Sequence, residues 1–223
     1  FKSVTFRYPT SSHDNLTDVS FAIERGQTLG IVGRTGSGKS TLVKQLLREY
    51  PAGTGEITIS GVPIERISLD RLKSWYGYVP QQQFLFSKPL RDNILFANDR
   101  ATEDQLAEAL ELSALAKDLK FLPHGLDTLV GEKGVSLSGG QKQRASIARA
   151  LIADPPILIL DDALSAVDAR TEAEIIANIR RIRTDKTTII VTHRMSAVRH
   201  ADLILVMDEG RIVERGTHEQ LMA

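Results

Sequence analysis

Along the chain, stretches whose apolar residues recur at every second position give way to stretches where they recur at every third or fourth. Residues 4–8 and 19–23 alternate apolar and polar, as half-exposed antiparallel strands do, whereas residues 28–32 form a continuous apolar run suited to a buried strand. Glycines follow at once, and residues 40–49 then carry helical spacing through Leu42, Val43, Leu46 and Leu47. Residues 56–59, ahead of Ser60-Gly61, read as another strand and turn. From 84 to 154 the β-branched runs thin out, and residues 102–115 are amphipathic, with Thr102 ahead of Glu103 and Gln105 as a capped start. Farther on, 157–160 and 188–191 are apolar strands separated by a helix over 171–183, and 203–207 and 211–214 flank Asp208-Glu209-Gly210 as a hairpin.

This order predicts one α/β domain over 1–223 with a mostly parallel sheet. Residues 1–83 and 155–223 form its core, including an N-terminal antiparallel β subdomain, and 84–154 form an inserted helical subdomain. No internal repeat, low-complexity tract or flexible linker interrupts it.

Composition narrows the chemistry. The 28 Lys and Arg balance 28 Asp and Glu, so no global field draws the chain to nucleic acid or to an anionic membrane. No Cys is present, which removes disulfides and thiolate metal sites. No apolar run approaches the ~18–20 residues that cross a bilayer. The start, Phe1-Lys2-Ser3-Val4, has neither an initiator Met nor a signal-peptide pattern and reads as a soluble piece of a longer protein.

Gly33-Arg34-Thr35-Gly36-Ser37-Gly38-Lys39-Ser40, with Thr41 after it, fits G-x-x-x-x-G-K-[ST] between a predicted strand and a predicted helix. Glycines let successive N–H groups converge on phosphate oxygens, and the helix start adds its positive end. Lys39 supplies a point charge for β- and γ-phosphates, and the Ser40 hydroxyl is a hard ligand for Mg²⁺. A P-loop NTPase core that binds ATP is therefore expected. The run 157–160 ends in Asp161 and Asp162, the first placed for the Mg²⁺ shell and the second beside the γ-phosphate, although such a pair can also cap the next helix.

Leu137-Ser138-Gly139-Gly140-Gln141, followed by Lys142-Gln143-Arg144 and a helix, resembles the signature motif of ATP-binding-cassette (ABC) ATPases. Read from its residues, Ser138-Gly139-Gly140 opens a helix and makes an anion site with no cation of its own. The resemblance covers essentially the whole chain and implies a head-to-tail dimer. In it, Leu137 to Gln141 and Asp168, within Ser165-Ala166-Val167-Asp168, serve the nucleotide of a partner cassette. The resemblance also implies that Tyr8 stacks on adenine, that Gln81 in Val79-Pro80-Gln81 reaches Mg²⁺ and reports to a transmembrane domain, and that His193 orients the attacking water. Gln82 and Gln83 follow directly, so the glutamine assignment stays open by one position.

Most hydrolytic members of that family carry Glu after the metal-binding Asp, and here Asp162 stands in that place. Losing one methylene withdraws the carboxylate by ~1.5 Å, and misplacement on the order of 1 Å costs about a hundredfold in rate. The expected behaviour is firm ATP binding with slow turnover at the chain's own site, beside an intact signature. That asymmetry resembles the degenerate subunit of a heterodimeric multidrug exporter. Phe84-Leu85-Phe86-Ser87 and Val130-Gly131-Glu132-Lys133-Gly134 look like exporter-type loops. The resemblance further implies a transmembrane domain N-terminal on the full-length chain and a place on the cytoplasmic face of the cell membrane. Two other readings stay open: a soluble ABC ATPase of DNA repair or translation, and a non-catalytic nucleotide sensor.

Overall fold

The computed structural model describes residues 1–223, which fall into two compact units, Phe1–Tyr76 with Asp185–Ala223, and Gly77–Thr184. The elements run β1 (Lys2–Phe6), β2 (Leu16–Val19), β3 (Thr28–Gly33), α1 (Lys39–Leu46), β4 (Thr54–Glu56), β5 (Thr58–Ile59), β6 (Val62–Pro63) and α2 (Leu69–Ser74). They continue with β7 (Tyr76–Val79), α3 (Leu90–Leu95), α4 (Glu103–Leu112), α5 (Gly139–Ile152), β8 (Ile157–Asp161) and α6 (Ala169–Ile182). β9 (Thr187–Thr192), α7 (Met195–Val198), β10 (Leu203–Asp208), β11 (Arg211–Gly216) and α8 (His218–Leu221) complete the chain. The α/β architecture with a mixed, mostly parallel sheet is the expected one.

In the first unit, four strands lie in the order β11-β10-β3-β9, parallel from β10 through β3 to β9 and closed by the antiparallel hairpin β10–β11. Leu29 and Ile31 of β3 and Ile204 and Leu205 of β10 are fully buried, as a strand covered on both faces requires. A smaller antiparallel sheet, β2-β1-β4, buries Val4, Phe6, Leu16 and Val19. Here β2 begins at Leu16 rather than at residue 19. Its buried residues are three positions apart because Asp18 takes a left-handed φ of 50°, a kink that breaks strict alternation. The alternating residues 20–23 lie outside any strand, although the Phe21 amide still donates to the Phe1 carbonyl at 3.1 Å. Residues 56–59 likewise split, β4 pairing with β1 and β5 with β6, around the buried Ile57.

In the second unit, α3, α4 and α5 supply the helical stretch, with no strand element between 84 and 154. Thr102 caps α4 in a reciprocal capping box with Gln105, as its spacing predicts. The unit is wider than 84–154 because α6 is tied to the residues around α4: Lys117 pairs with Glu174, and Asn178 donates to the Leu112 carbonyl at 3.4 Å. β8 and β7 are neighbours in a sheet, and Leu158, Ile159 and Leu160 are buried. No helix is long and apolar enough to cross a membrane.

Candidate functional site

β3 ends at Gly33, and the chain loops over five residues, Arg34 to Gly38, before α1 starts at Lys39. The loop needs its glycines for two separate reasons. Gly38, at the cap of α1, has φ 102°, where an L side chain is strained, and a Cβ on Gly33 would sit 2.3 Å from the Met207 carbonyl oxygen. That close approach is part of a buttress, because the Gly210 amide at the β10–β11 turn donates to the Ser37 carbonyl at 3.0 Å. The Thr17 amide in turn donates to the Gly210 carbonyl at 2.8 Å. Lys39 Nζ donates to the carbonyls of Gly33 at 2.7 Å and Arg34 at 2.8 Å, which holds its charge at the loop.

Two observations fit this loop to an anionic ligand. Its helix carries no acidic residue in the first turn, so nothing neutralises the positive helix end, and the Ser37 hydroxyl is buried without a hydrogen-bond partner. Tyr8 is fixed beside α1: its hydroxyl donates to Thr41 Oγ1 at 3.2 Å, and its ring meets Phe6 and Tyr50 edge-on at centroid distances of 4.9 Å. Tyr50 was not singled out from the sequence. His193 follows β9 directly and is exposed. Thr192 stands in register with Val32, so His193 and the loop leave neighbouring strands at the same end.

In the second unit, Asp161 closes β8 at 4% exposure and accepts from the Tyr78 hydroxyl at 3.3 Å. Asp162 turns the chain sharply, with φ 50°, a conformation Asp tolerates better than most residues. Its carbonyl accepts from the Ser165 hydroxyl at 3.0 Å, and its carboxylate accepts from Gln81 Nε2 at 3.3 Å. Gln81 and Asp162 are thus brought together, whereas the side chain of Gln83 turns back to the Pro80 carbonyl at 2.6 Å. The acidic pair does not cap the helix that follows. That position belongs to Asp168, whose Oδ1 accepts from the Thr171 amide at 3.0 Å. The same bond, the largest influence on it, holds the Asp168 carboxyl below its ordinary pKa.

The signature opens α5. Leu137 is buried, Ser138 and Gly139 are exposed, and Ser138 caps the helix in a capping box with Gln141. The first turn contains no acid, and Lys142 stands there instead. By contrast α2, α3, α4 and α6 each place at least one acid in the first turn. Positive charge at a positive helix end is unfavourable unless an anion arrives. Arg144 is already engaged, its guanidinium 2.6 Å from Asp118, which also accepts from Gln141 Nε2 at 3.2 Å. Asp118 carried no sequence signal because it lies in a 3₁₀ turn more than twenty residues from its partners.

No three His, Asp or Glu side chains converge to hold a metal alone. The Ser40 hydroxyl at the start of α1 and, in the second unit, the Asp161 carboxylate at the end of β8 are each hard oxygen donors of the kind Mg²⁺ takes.

Comparison with known proteins agrees with this chemistry. Residues 16–165 match the family model described as ABC transporter. The chain is 62% identical over its whole length to the probable multidrug resistance ABC transporter ATP-binding/permease protein YheI of Bacillus subtilis, of which it spans 38%. It is 46% identical over 97% of its length to the multidrug resistance-like ATP-binding protein MdlA of Escherichia coli, spanning 37% of that protein. Among solved structures, a bacterial Atm1-family ABC exporter with ATP bound superposes with a TM-score of 0.95 at 40% identity, over the whole chain and 39% of the exporter chain.

Proposed function

Because the chain belongs to the ABC transporter family, as an ATP-binding domain of its ATPases, we propose that it is the motor cassette of an exporter and works head-to-tail with a second cassette. The observation that carries this reading is the presence of two glycine-bearing helix starts without an acid in the first turn, at α1 and α5, on one chain. A single triphosphate needs only one such cradle, so the second is free to serve a nucleotide held by the partner.

In this reading the backbone amides of Gly33 to Gly38 and the Lys39 ammonium bind the phosphates, and Tyr8, braced by Phe6 and Tyr50, stacks on adenine. Ser40, Asp161 and Gln81 are the ligands offered to Mg²⁺, which when bound neutralises charge on the β- and γ-phosphates. Asp162 accepts a proton from the attacking water, and His193 orients that water by hydrogen bonding. Ser138 and the amides at the start of α5 bind the partner's γ-phosphate, with Asp168 at the dimer interface.

The Asp162 carboxylate is one methylene shorter than a Glu would provide, so own-site hydrolysis is slow and the partner carries Glu in the corresponding place. The cassette would be joined to membrane-spanning segments on the same full-length chain and would lie on the cytoplasmic face of the membrane. Support for that arrangement comes from the multidrug and exporter relatives, each of which is longer than this chain. Gln81 and the segment around Glu132 would meet those segments.

The test is the ATPase rate of Asp162→Glu with and without a Glu-bearing partner cassette. A rise of about ten- to a hundredfold at the chain's own site is expected. The folding cost of placing Glu at a left-handed position is on the order of 1 kcal/mol. Wild-type chain that already turns over rapidly alone, with no gain from Glu, contradicts the reading.

A further inference from the structure

Gln143, in the second turn of α5, is 3% exposed, yet the amide of its side chain faces polar groups rather than apolar ones. Its Nε2 donates to the Ser165 hydroxyl at 2.9 Å, and its Oε1 accepts from the Ala166 amide at 2.9 Å. Only one orientation of the carboxamide satisfies both, since a flipped group would set N–H against the Ala166 N–H. The Ser165 hydroxyl in turn donates a hydrogen bond to the Asp162 carbonyl at 3.0 Å, and the Asp162 carboxylate accepts from Gln81. A continuous run of hydrogen bonds therefore links Gln81, Asp162, Ser165 and Gln143, and ends on the helix that Ser138 begins.

The packing makes this run short. A Cβ on Gly140 would lie 2.9 Å from the Ala166 carbonyl oxygen, and one on Gly139 would lie 3.2 Å from the Ala166 Cβ. The first turn of α5 thus rests directly on the segment 162–168, and Gln143 fastens the two where they touch. Gln143 is buried and both ends of its carboxamide are engaged, so a shift of the segment 162–168 is passed to α5 rather than absorbed by a free rotation of that side chain.

We propose that Gln143 is a positioning residue that transmits the state of the Asp162 turn to the signature, so that nucleotide at the chain's own loop sets how well Ser138 engages the partner's nucleotide. This rests on the two-cassette reading given above. Gln143 touches no nucleotide itself; it acts through α5 and Ser165. Its loss uncouples the two sites without emptying either.

The experiment uses the full-length transporter with its partner and follows turnover against ATP concentration for Gln143→Met, Ser165→Ala and the double variant. Gln143→Met keeps the volume of the side chain and removes both bonds. The expected result is a fall in kcat of about tenfold, a KM for ATP within about twofold of wild type, and loss of the sigmoidal dependence on ATP, since a run of hydrogen bonds acts as a unit. The double variant should be no worse than either single one. Melting temperature is recorded alongside. A drop in melting temperature with kcat and KM unchanged, or losses that add in the double variant, overturns the proposal and leaves Gln143 as packing. If Gln143→Met does not fold, Ser165→Ala decides, because it cuts the same run at a partly exposed residue; unchanged sigmoidal turnover in it overturns the proposal. A wild-type transporter whose turnover is hyperbolic in ATP overturns the two-cassette reading itself, and this inference with it.

Discussion

The two glycine-bearing helix starts look alike in sequence and differ in what supports them. Around α1 the loop curls through left-handed glycines, carries its own lysine and is propped by the β10–β11 turn. At α5 there is no curl: Ser138 makes an ordinary capping box, the nearby Arg144 is committed to Asp118, and the glycines serve to let Ala166 approach. In the proposed reading the first grips a triphosphate unaided, whereas the second presents a hydroxyl, a few amides and a helix end to an anion brought by the partner, so that binding and completion of the site fall to different parts of the chain.

The largest effect should separate these roles directly. Lys39→Ala removes the charge that answers the phosphates and should weaken MgATP binding by the isolated chain about a hundredfold in calorimetric titration. Ser138→Ala in the same titration should change affinity less than about twofold. Next in size, Gly140→Ala drives a methyl into the Ala166 carbonyl and should cost about 1–3 kcal/mol, seen as a lower melting temperature while MgATP affinity at the Lys39 loop stays unchanged. Asp118→Ala leaves Arg144 without its partner. Since both side chains are largely but not wholly buried, at 12% and 16% exposure, a loss of about 1–2 kcal/mol is expected in denaturant unfolding.

The smallest effect concerns Asp168. Its folded pKa lies below the ordinary carboxylate value because the Thr171 amide bonds the charged form, so its contribution is fully present above the unfolded pKa and fades as pH falls through the folded one. Melting curves of wild type and Asp168→Ala should differ at neutral pH and draw together in acid.

Which parts of this comparison were legible in the sequence follows from range. Gly33 to Ser40 and Leu137 to Gln141 are contiguous, and each sits at a junction that hydrophobic periodicity marks, so both helix starts and the α/β fold around them could be read. The supports could not. Gly210 reaches Ser37 from the far end of the chain, Tyr50 meets Tyr8 across forty residues, and Gln143 finds Ser165 only once β8 and α5 are folded. The start of β2 was missed for a local reason: the left-handed kink at Asp18 spaces its buried residues by three, and alternation points to the wrong segment. The acidic pair allowed a helix-capping role that the structure gives to Asp168.

The most direct measurement is ATP turnover by this chain mixed with a Glu-bearing partner cassette, with either Ser138→Arg or Asp162→Ala introduced here. The account predicts that Ser138→Arg removes nearly all turnover although the Lys39 loop is untouched, and that Asp162→Ala leaves most of it. Turnover that follows Asp162 and ignores Ser138 would contradict it.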